Sequence, residues 1–242
     1  MWKLILHLIL LSNRGAYIYM ENRTIAFKDH GYILFNPRLV MEKIKCCQNS
    51  LKPLFFVTLL SVLFTTVPIV FFDADQLQMM LGVDLSDPNL YTALKTLMII
   101  LLIVISFLGP TVWTVINAGI YTVALRVMKI RVSFRQMFLV GLFCYIPMLL
   151  NTMTTAIGGW ITNGQIKGSP ANLEHLFYFV SDPLTIKFLS SFNLFGIWSA
   201  VLWGIGIYFL SPKETRRRGV FTLGFIWFCT TISIPALQLL LV

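Results

Sequence analysis

Charge is what this chain has least of. Its 19 Lys or Arg and 10 Asp or Glu amount to 12% of 242 residues, about half the share of an average soluble domain. Apolar residues take up 57%, and mean hydropathy is +0.79. So few charges cannot coat a soluble globule. The soluble classes are excluded, and an all-α integral membrane protein is expected. Cysteine is sparse too. The four cysteines build no disulfide framework, because Cys46 and Cys47 are neighbours and Cys144 and Cys229 sit inside apolar runs, where Cys is a small packing residue. Lipidation of the juxtamembrane Cys46 and Cys47 is the alternative reading at that pair. The three His are scattered, and no HExxH, GxSxG or Walker loop is present. Inside the apolar runs Arg135, at one end, is the one residue among Asp, Glu, Lys, Arg and His. Intramembrane ionisable groups usually mark ion paths, proton relays and active sites. The chain is therefore read as no enzyme, with no catalytic, cofactor or metal residue expected. Its net charge of +9 would suggest nucleic acid in a soluble protein. Here it reflects Lys and Arg gathered in cytoplasmic loops, and nucleic acid is not an expected partner.

What is present is a series of long uncharged runs. From Phe188 to Leu210 no charged residue occurs, and then Lys213, Arg216, Arg217 and Arg218 follow closely. About 20 apolar residues suffice to cross a bilayer as a helix. A cationic cluster at the end of such a run fixes that end in the cytoplasm, so Arg216, Arg217 and Arg218 read as cytoplasmic anchors. Five transmembrane helices are predicted at 53–72, 96–125, 134–157, 188–210 and 220–241. Alternation then places sixteen of the nineteen Lys and Arg on the side of Arg216–Arg218. Lys95, Lys167 and Lys187 share the other side with Asp73, Asp75, Asp84, Asp87, Glu174 and Asp182. The N-terminus is expected to be cytoplasmic and the C-terminus extracytoplasmic.

Residues 1–34 form the expected N-terminal cytoplasmic segment, and 35–242 the membrane domain. Residues 1–19 read as an upstream extension before Met20, or as an interfacial helix. Asn36-Pro37 opens a juxtamembrane amphipathic helix, Asn being a good cap and Pro favoured at the first helical position. Leu39, Ile44 and Leu51 form its apolar stripe among basic residues. It is expected to lie on the inner leaflet or to pack under the bundle. Ser133 can cap the third span.

Gly109-Pro110 sits mid-way along the second span and Pro147 within the third; both are kink positions, because Pro cannot donate to the helical ladder. Asn117, Asn151, Asn193 and Gln238 are expected to make interhelical hydrogen bonds. Gly196, Ala200 and Gly204 form a small-xxx-small stripe, a helix-packing face. Its partner is either in this chain or on a second protein.

Four stretches carry a family likeness: the Asn36-Pro37 opening of a basic amphipathic helix; the long second span with Gly109-Pro110; SFRQMFLVGLFCYIPMLL, Ser133 to Leu150; and FLSSFNLFGIWSAVLWGIGI, Phe188 to Ile207. In this order, over about 35–240, they resemble the Yip family, membrane proteins named for interaction with Ypt/Rab GTPases. The resemblance brings no catalytic residues. It implies vesicle traffic for eukaryotic members and an accessory role, some beside ABC-type exporters, for bacterial ones. The expected protein is thus a non-catalytic multi-pass protein of a bacterial inner membrane. Its expected partners are the lipid bilayer and another membrane protein, an ABC transporter or a second copy. The alternative is a permease or channel component moving a small solute or peptide, suggested by the proline breaks.

Overall fold

The structure, a computed structural model, describes residues 25, 27–46, 50–70, 74–82, 87–162, 169–177 and 179–240. The expectations for residues 1–19, Met20, Cys47, Asp73, Asp84 and Lys167 fall outside them. Among the described residues the chain is helical, with one isolated bridge between Asn172 and Asn193. The helices are α1 (Phe27–Phe35), α2 (Pro37–Cys46), α3 (Leu51–Val70), α4 (Ala74–Leu81), α5 (Pro88–Val127), α6 (Phe134–Ile161), α7 (Leu173–Leu176), α8 (Pro183–Ser190), α9 (Leu194–Leu210) and α10 (Arg216–Leu240).

Three of them, α3, α5 and α6, are long and apolar enough to cross a membrane, and α9 is a shorter apolar helix. α5 begins at Pro88, well before the apolar onset at 96. Capping sets that start: the Asp87 carboxylate accepts from the Asn89 N–H at 2.9 Å and Pro88 occupies the first turn. Its 40 residues are about 60 Å long at 1.5 Å per residue. Ser133 does cap α6, in a reciprocal box with Gln136.

α3 and α5 are built inside out. α3 turns Leu51, Phe55, Leu59, Leu63, Val67 and Val70 outward and buries Thr58, Ser61 and Thr66. α5 buries Ser106, Pro110, Thr114, Ala118 and Thr122, one residue per turn, and exposes Ile105, Leu108, Val112, Ile116 and Val123. A soluble protein with such a surface would aggregate. In a bilayer small and hydroxyl residues let backbones approach, while bulky apolar ones meet lipid. The chain is thus a multi-pass membrane protein in contact with the bilayer.

α6 is the central helix: 56% of its apolar window is buried, against 28% for α3 and 17% for α5. It packs on α3, α5 and α9, while α9 also packs on α10 and α2. Phe143, Leu139 and Leu142 of α6 meet Leu202 and Trp203 of α9 in one core.

α2 supplies that core with Val40, Met41 and Ile44, all fully buried. This corrects the stripe expected from the sequence: Ile44 is inside, but Leu39 and Leu51 are exposed. Of the two placements considered for α2, it takes the one under the bundle, with Met41 Sδ reaching Gly206 of α9.

The expected uninterrupted helix 188–210 is two helices. α8 ends at Ser190 and α9 starts at Leu194. The physical reason is Asn193, whose side-chain oxygen accepts from the N–H groups of Phe195 at 2.9 Å and Gly196 at 3.3 Å. Such a cap satisfies otherwise orphaned donors and competes with helix continuation.

At the far end of α8 the Asp182 carboxylate accepts from Thr185 N at 2.8 Å and Thr185 Oγ1 at 2.5 Å. The hydroxyl and then the amide of Thr185 hold this exposed carboxyl below its ordinary value. A lowered folded-state pKa means the cap contributes above the unfolded value and is lost as pH falls through the folded one. The Thr185 amide resonance is expected to stay constant near neutrality and move as pH is taken below about 4. An unchanged resonance down to that range would show that Asp182 does not hold α8.

Candidate functional site

The polar seam between α3, α5 and α6 is the first place to look for chemistry. Pro110 has no N–H, so the Ser106 carbonyl one turn earlier loses its usual donor. Gly109 beside it faces Tyr145 of α6 at ordinary van der Waals spacing: a Cβ there would lie 3.9 Å from the Tyr145 hydroxyl. A side-chain hydrogen bond joins Tyr145 to Ser61 of α3. Below them, the hydroxyls of Thr114 and Thr122 are buried with no partner among the described residues. Most other threonines of these helices return their hydroxyl to a carbonyl three or four residues earlier, as Thr65 does to Ser61 and Thr66 to Val62. The seam thus offers hydroxyls and a freed carbonyl, with no ionisable carboxylate, amine or imidazole among them. Among the described residues no group of three His, Cys, Asp or Glu could hold a metal ion.

Pro147 is buried within α6. A neighbouring carbonyl, that of Cys144, accepts from Ser199 Oγ of α9 at 2.7 Å. The carbonyl that Pro147 deprives of its donor is that of Phe143, one turn earlier; Ser199 bonds the adjacent carbonyl, so a small polar residue of the facing helix sits beside the proline break. Ser199 lies between Gly196 and Ala200, so the stripe expected as a packing face adjoins this contact. Gly204 faces α10, where a Cβ would stand 3.7 Å from Val220, and Gly196 meets its own capping Asn193 at 3.8 Å. Both are ordinary van der Waals spacings. Ala200 is half-buried. The closest helix approach lies elsewhere. A Cβ on Gly206 would fall 2.5 Å from Val140, and one on Gly141 would fall 2.6 Å from Thr114 and 3.0 Å from Trp203. These glycines belong to no sequence repeat. Gly206 does share a face of α9 with Leu202 and Trp203, but what makes either glycine necessary lies on the facing helix.

Asn193 reaches beyond its own helix. Its Nδ2 donates to Asn151 at 2.8 Å and to Asn172 at 2.9 Å. Ser169 donates to the same Asn151 oxygen at 2.5 Å. Backbone bonds from Leu173 N to Phe192 O and from Leu194 N to Ala171 O lock the two strands of chain side by side. The α6–α7 connection is thereby stitched into the α8–α9 break. Asn117, by contrast, returns its amide to Trp113 within α5. Glu174 and His175 lie 3.6 Å apart; nothing further joins them as a site.

The opposite end of the bundle is basic. Arg216 lies over the Tyr208 ring at 4.9 Å and donates through Nε to the Ser211 carbonyl at 3.3 Å. Arg217 and Arg218 are exposed. Arg38 sits over Phe209 at 5.7 Å and pairs with Glu42. Lys43 pairs at 2.6 Å with the fully buried Asp29, and His30 rests edge-on against Phe56. α1 and α2 are thus clamped beneath the helices, with Arg38 and Arg216 flanking the end of α9.

A family model described as Yip1 domain matches residues 31–237. That range takes in every helix from α2 to α9. No curated protein and no solved structure matches the chain.

Proposed function

The chain belongs to the Yip1 domain family, and on that premise we propose that it is a non-catalytic membrane protein working by protein or lipid contacts, as an accessory subunit of an ABC-type export system. The observation that carries this is α5. It keeps a narrow stripe for its own chain, Ser106, Pro110, Thr114, Ala118 and Thr122 joined towards its end by Tyr121 and Leu125, and leaves most of its apolar circumference, Ile105 and Trp113 included, to whatever lies outside. Five spans within 35–242, a cytoplasmic segment 1–34 and an extracytoplasmic C-terminus form part of the proposal, as does a bacterial inner-membrane location. In it Arg216, Arg217 and Arg218 anchor the cytoplasmic end, Gly109-Pro110 and Pro147 bend their helices, and Gly196, Ala200 and Gly204 line a helix contact.

A photo-reactive residue at Ile105 is the direct test. In intact cells it should give one discrete heavier species containing a second membrane protein, and the same probe at buried Thr114 should not. Adducts with lipid alone would overturn the accessory reading. Labelling of Asp87 and Lys213 from the same side would refute the topology.

The unpartnered hydroxyls of Thr114 and Thr122 beside Pro110 favour a second reading, a permease or channel component. Under it, proteoliposomes would pass a small solute and Thr114→Val would slow that flux. Proteoliposomes impermeable to every solute tried, with the partner present, would remove it.

A further inference from the structure

We propose that the basic end of the bundle is a binding surface for anionic phospholipid headgroups, centred where the turn 128–132 meets the first turn of α10. The inference rests on the reading of the chain as a membrane protein that works by contacts, with this end at the inner leaflet. Ile130 is almost fully buried. It packs on Gly219, where a Cβ would lie 3.4 Å from Ile130 and 2.9 Å from Ile207. That contact draws two loops together. Arg126, Lys129 and Arg131 come from one, and Arg217 and Arg218 from the other, all exposed. None of these five is in an ion pair with a described residue. The acid of the turn, Glu214, is exposed.

Two features show that Lys129, Arg217 and Arg218 are not there for the stability of their own elements. First, Lys129 has φ +59. It closes α5 with Lys129 N donating to Arg126 O and Ile130 N to Leu125 O, a turn whose left-handed residue is usually Gly. A Lys held in that conformation is strained, and strain of this kind gathers at functional positions. Second, Arg216–Arg218 occupy the first turn of α10, where the helix dipole disfavours cations. An anion from outside the chain offsets the second and gives the strained Lys129 a partner for its charge. Lipid is favoured over an acidic protein because large apolar side chains are interleaved with the cations. Val127 is 75% exposed and Phe221 77%, so each stands ready to enter the acyl region beneath the headgroups. Each cation at an anionic membrane surface is worth about a fivefold change in affinity.

The full chain in neutral detergent provides the test, by thermal unfolding against added phosphatidylglycerol or phosphatidylcholine. Phosphatidylglycerol should raise the midpoint and phosphatidylcholine should not. Arg217→Gln with Arg218→Gln should raise the phosphatidylglycerol concentration needed for a given rise in midpoint about 25-fold. Lys129→Gly should raise the lipid-free midpoint yet raise that required concentration about fivefold. Lys187→Gln, at the other end, should behave as the unmodified chain does. Equal stabilisation by both lipids, or an undiminished response in the arginine variant, would overturn the proposal. So would a full response to inorganic phosphate, or a response to poly-glutamate with none to phosphatidylglycerol. Because the isolated chain is used, failure here leaves the cross-linking result at Ile105 standing, and the reverse also holds.

Discussion

Gly206→Val is expected to lower the thermal midpoint in mild detergent by several degrees, while Gly204→Ala, two residues away, leaves it level or slightly higher. The difference is one of space. A Cβ on Gly206 would lie 2.5 Å and 3.0 Å from the two methyls of Val140 and 3.3 Å from Met41 Sδ. Val140 and Met41 are both fully buried, so neither can swing into solvent. Three elements meet at this glycine: α9, α6 and the clamped α2. Inserting bulk into a packed interior costs typically 1–3 kcal/mol, and the two further methyls of valine place this change at about 3 kcal/mol. At Gly204 the nearest atom would be Val220 at 3.7 Å. There alanine fits, and its better helix propensity gains up to about 1 kcal/mol. The measurement is a pair of unfolding curves in one detergent. Equal midpoints for the two variants would show that α9 does not sit this close to α6.

These two glycines also show where sequence reading stops. Hydropathy finds α3, α5 and α6 as membrane helices, because the apolar length is a property of the chain alone. It does not say which face turns inward. In water the buried face is the apolar one, and Val40, Met41 and Ile44 of α2 obey that rule. In a bilayer both faces are apolar, and the inward one is marked by Ser106, Pro110, Thr114 and Thr122 on α5. The small-residue stripe Gly196/Ala200/Gly204 is legible as a pattern, whereas Gly206 and Gly141 acquire meaning only from Val140 and Trp203 on another helix. The break before α9 was hidden for a related reason. Averaging hydropathy over Phe188–Leu210 absorbs one asparagine, but the backbone at Asn193 responds to hydrogen bonds that average cannot contain. Ser133 was readable as a cap because its partner Gln136 is three residues away. Asn193 was readable as a hydrogen-bonding residue, but its partners lie 42 and 21 residues distant.

Asn193→Ala is accordingly expected to destabilise the fold by roughly 2–3 kcal/mol, the sum of a lost helix cap of about 1 kcal/mol and two interhelical amide bonds near 0.6 kcal/mol each. The cap and the amide bonds use different atoms. Oδ1 accepts from Phe195 and Gly196, and Nδ2 donates to Asn151 and Asn172. Asn193→Ser separates them. A serine hydroxyl is a comparable cap acceptor, but it is too short and has too few donors to reach both partner oxygens. Serine should therefore recover about 1 kcal/mol of the alanine loss and leave the rest. A second readout follows from the bridge to Asn172. Once Nδ2 is gone, the pairing of 171–173 with 192–194 rests on its two backbone bonds. Amide exchange at Leu173 and Leu194 should then speed up in both variants, while the amides of Leu202 and Trp203 in the α9 core keep their protection. If serine restores full stability, the side-chain amide bonds contribute nothing and Asn193 is a cap alone. If alanine itself is neutral, the break between α8 and α9 is held by something other than this residue.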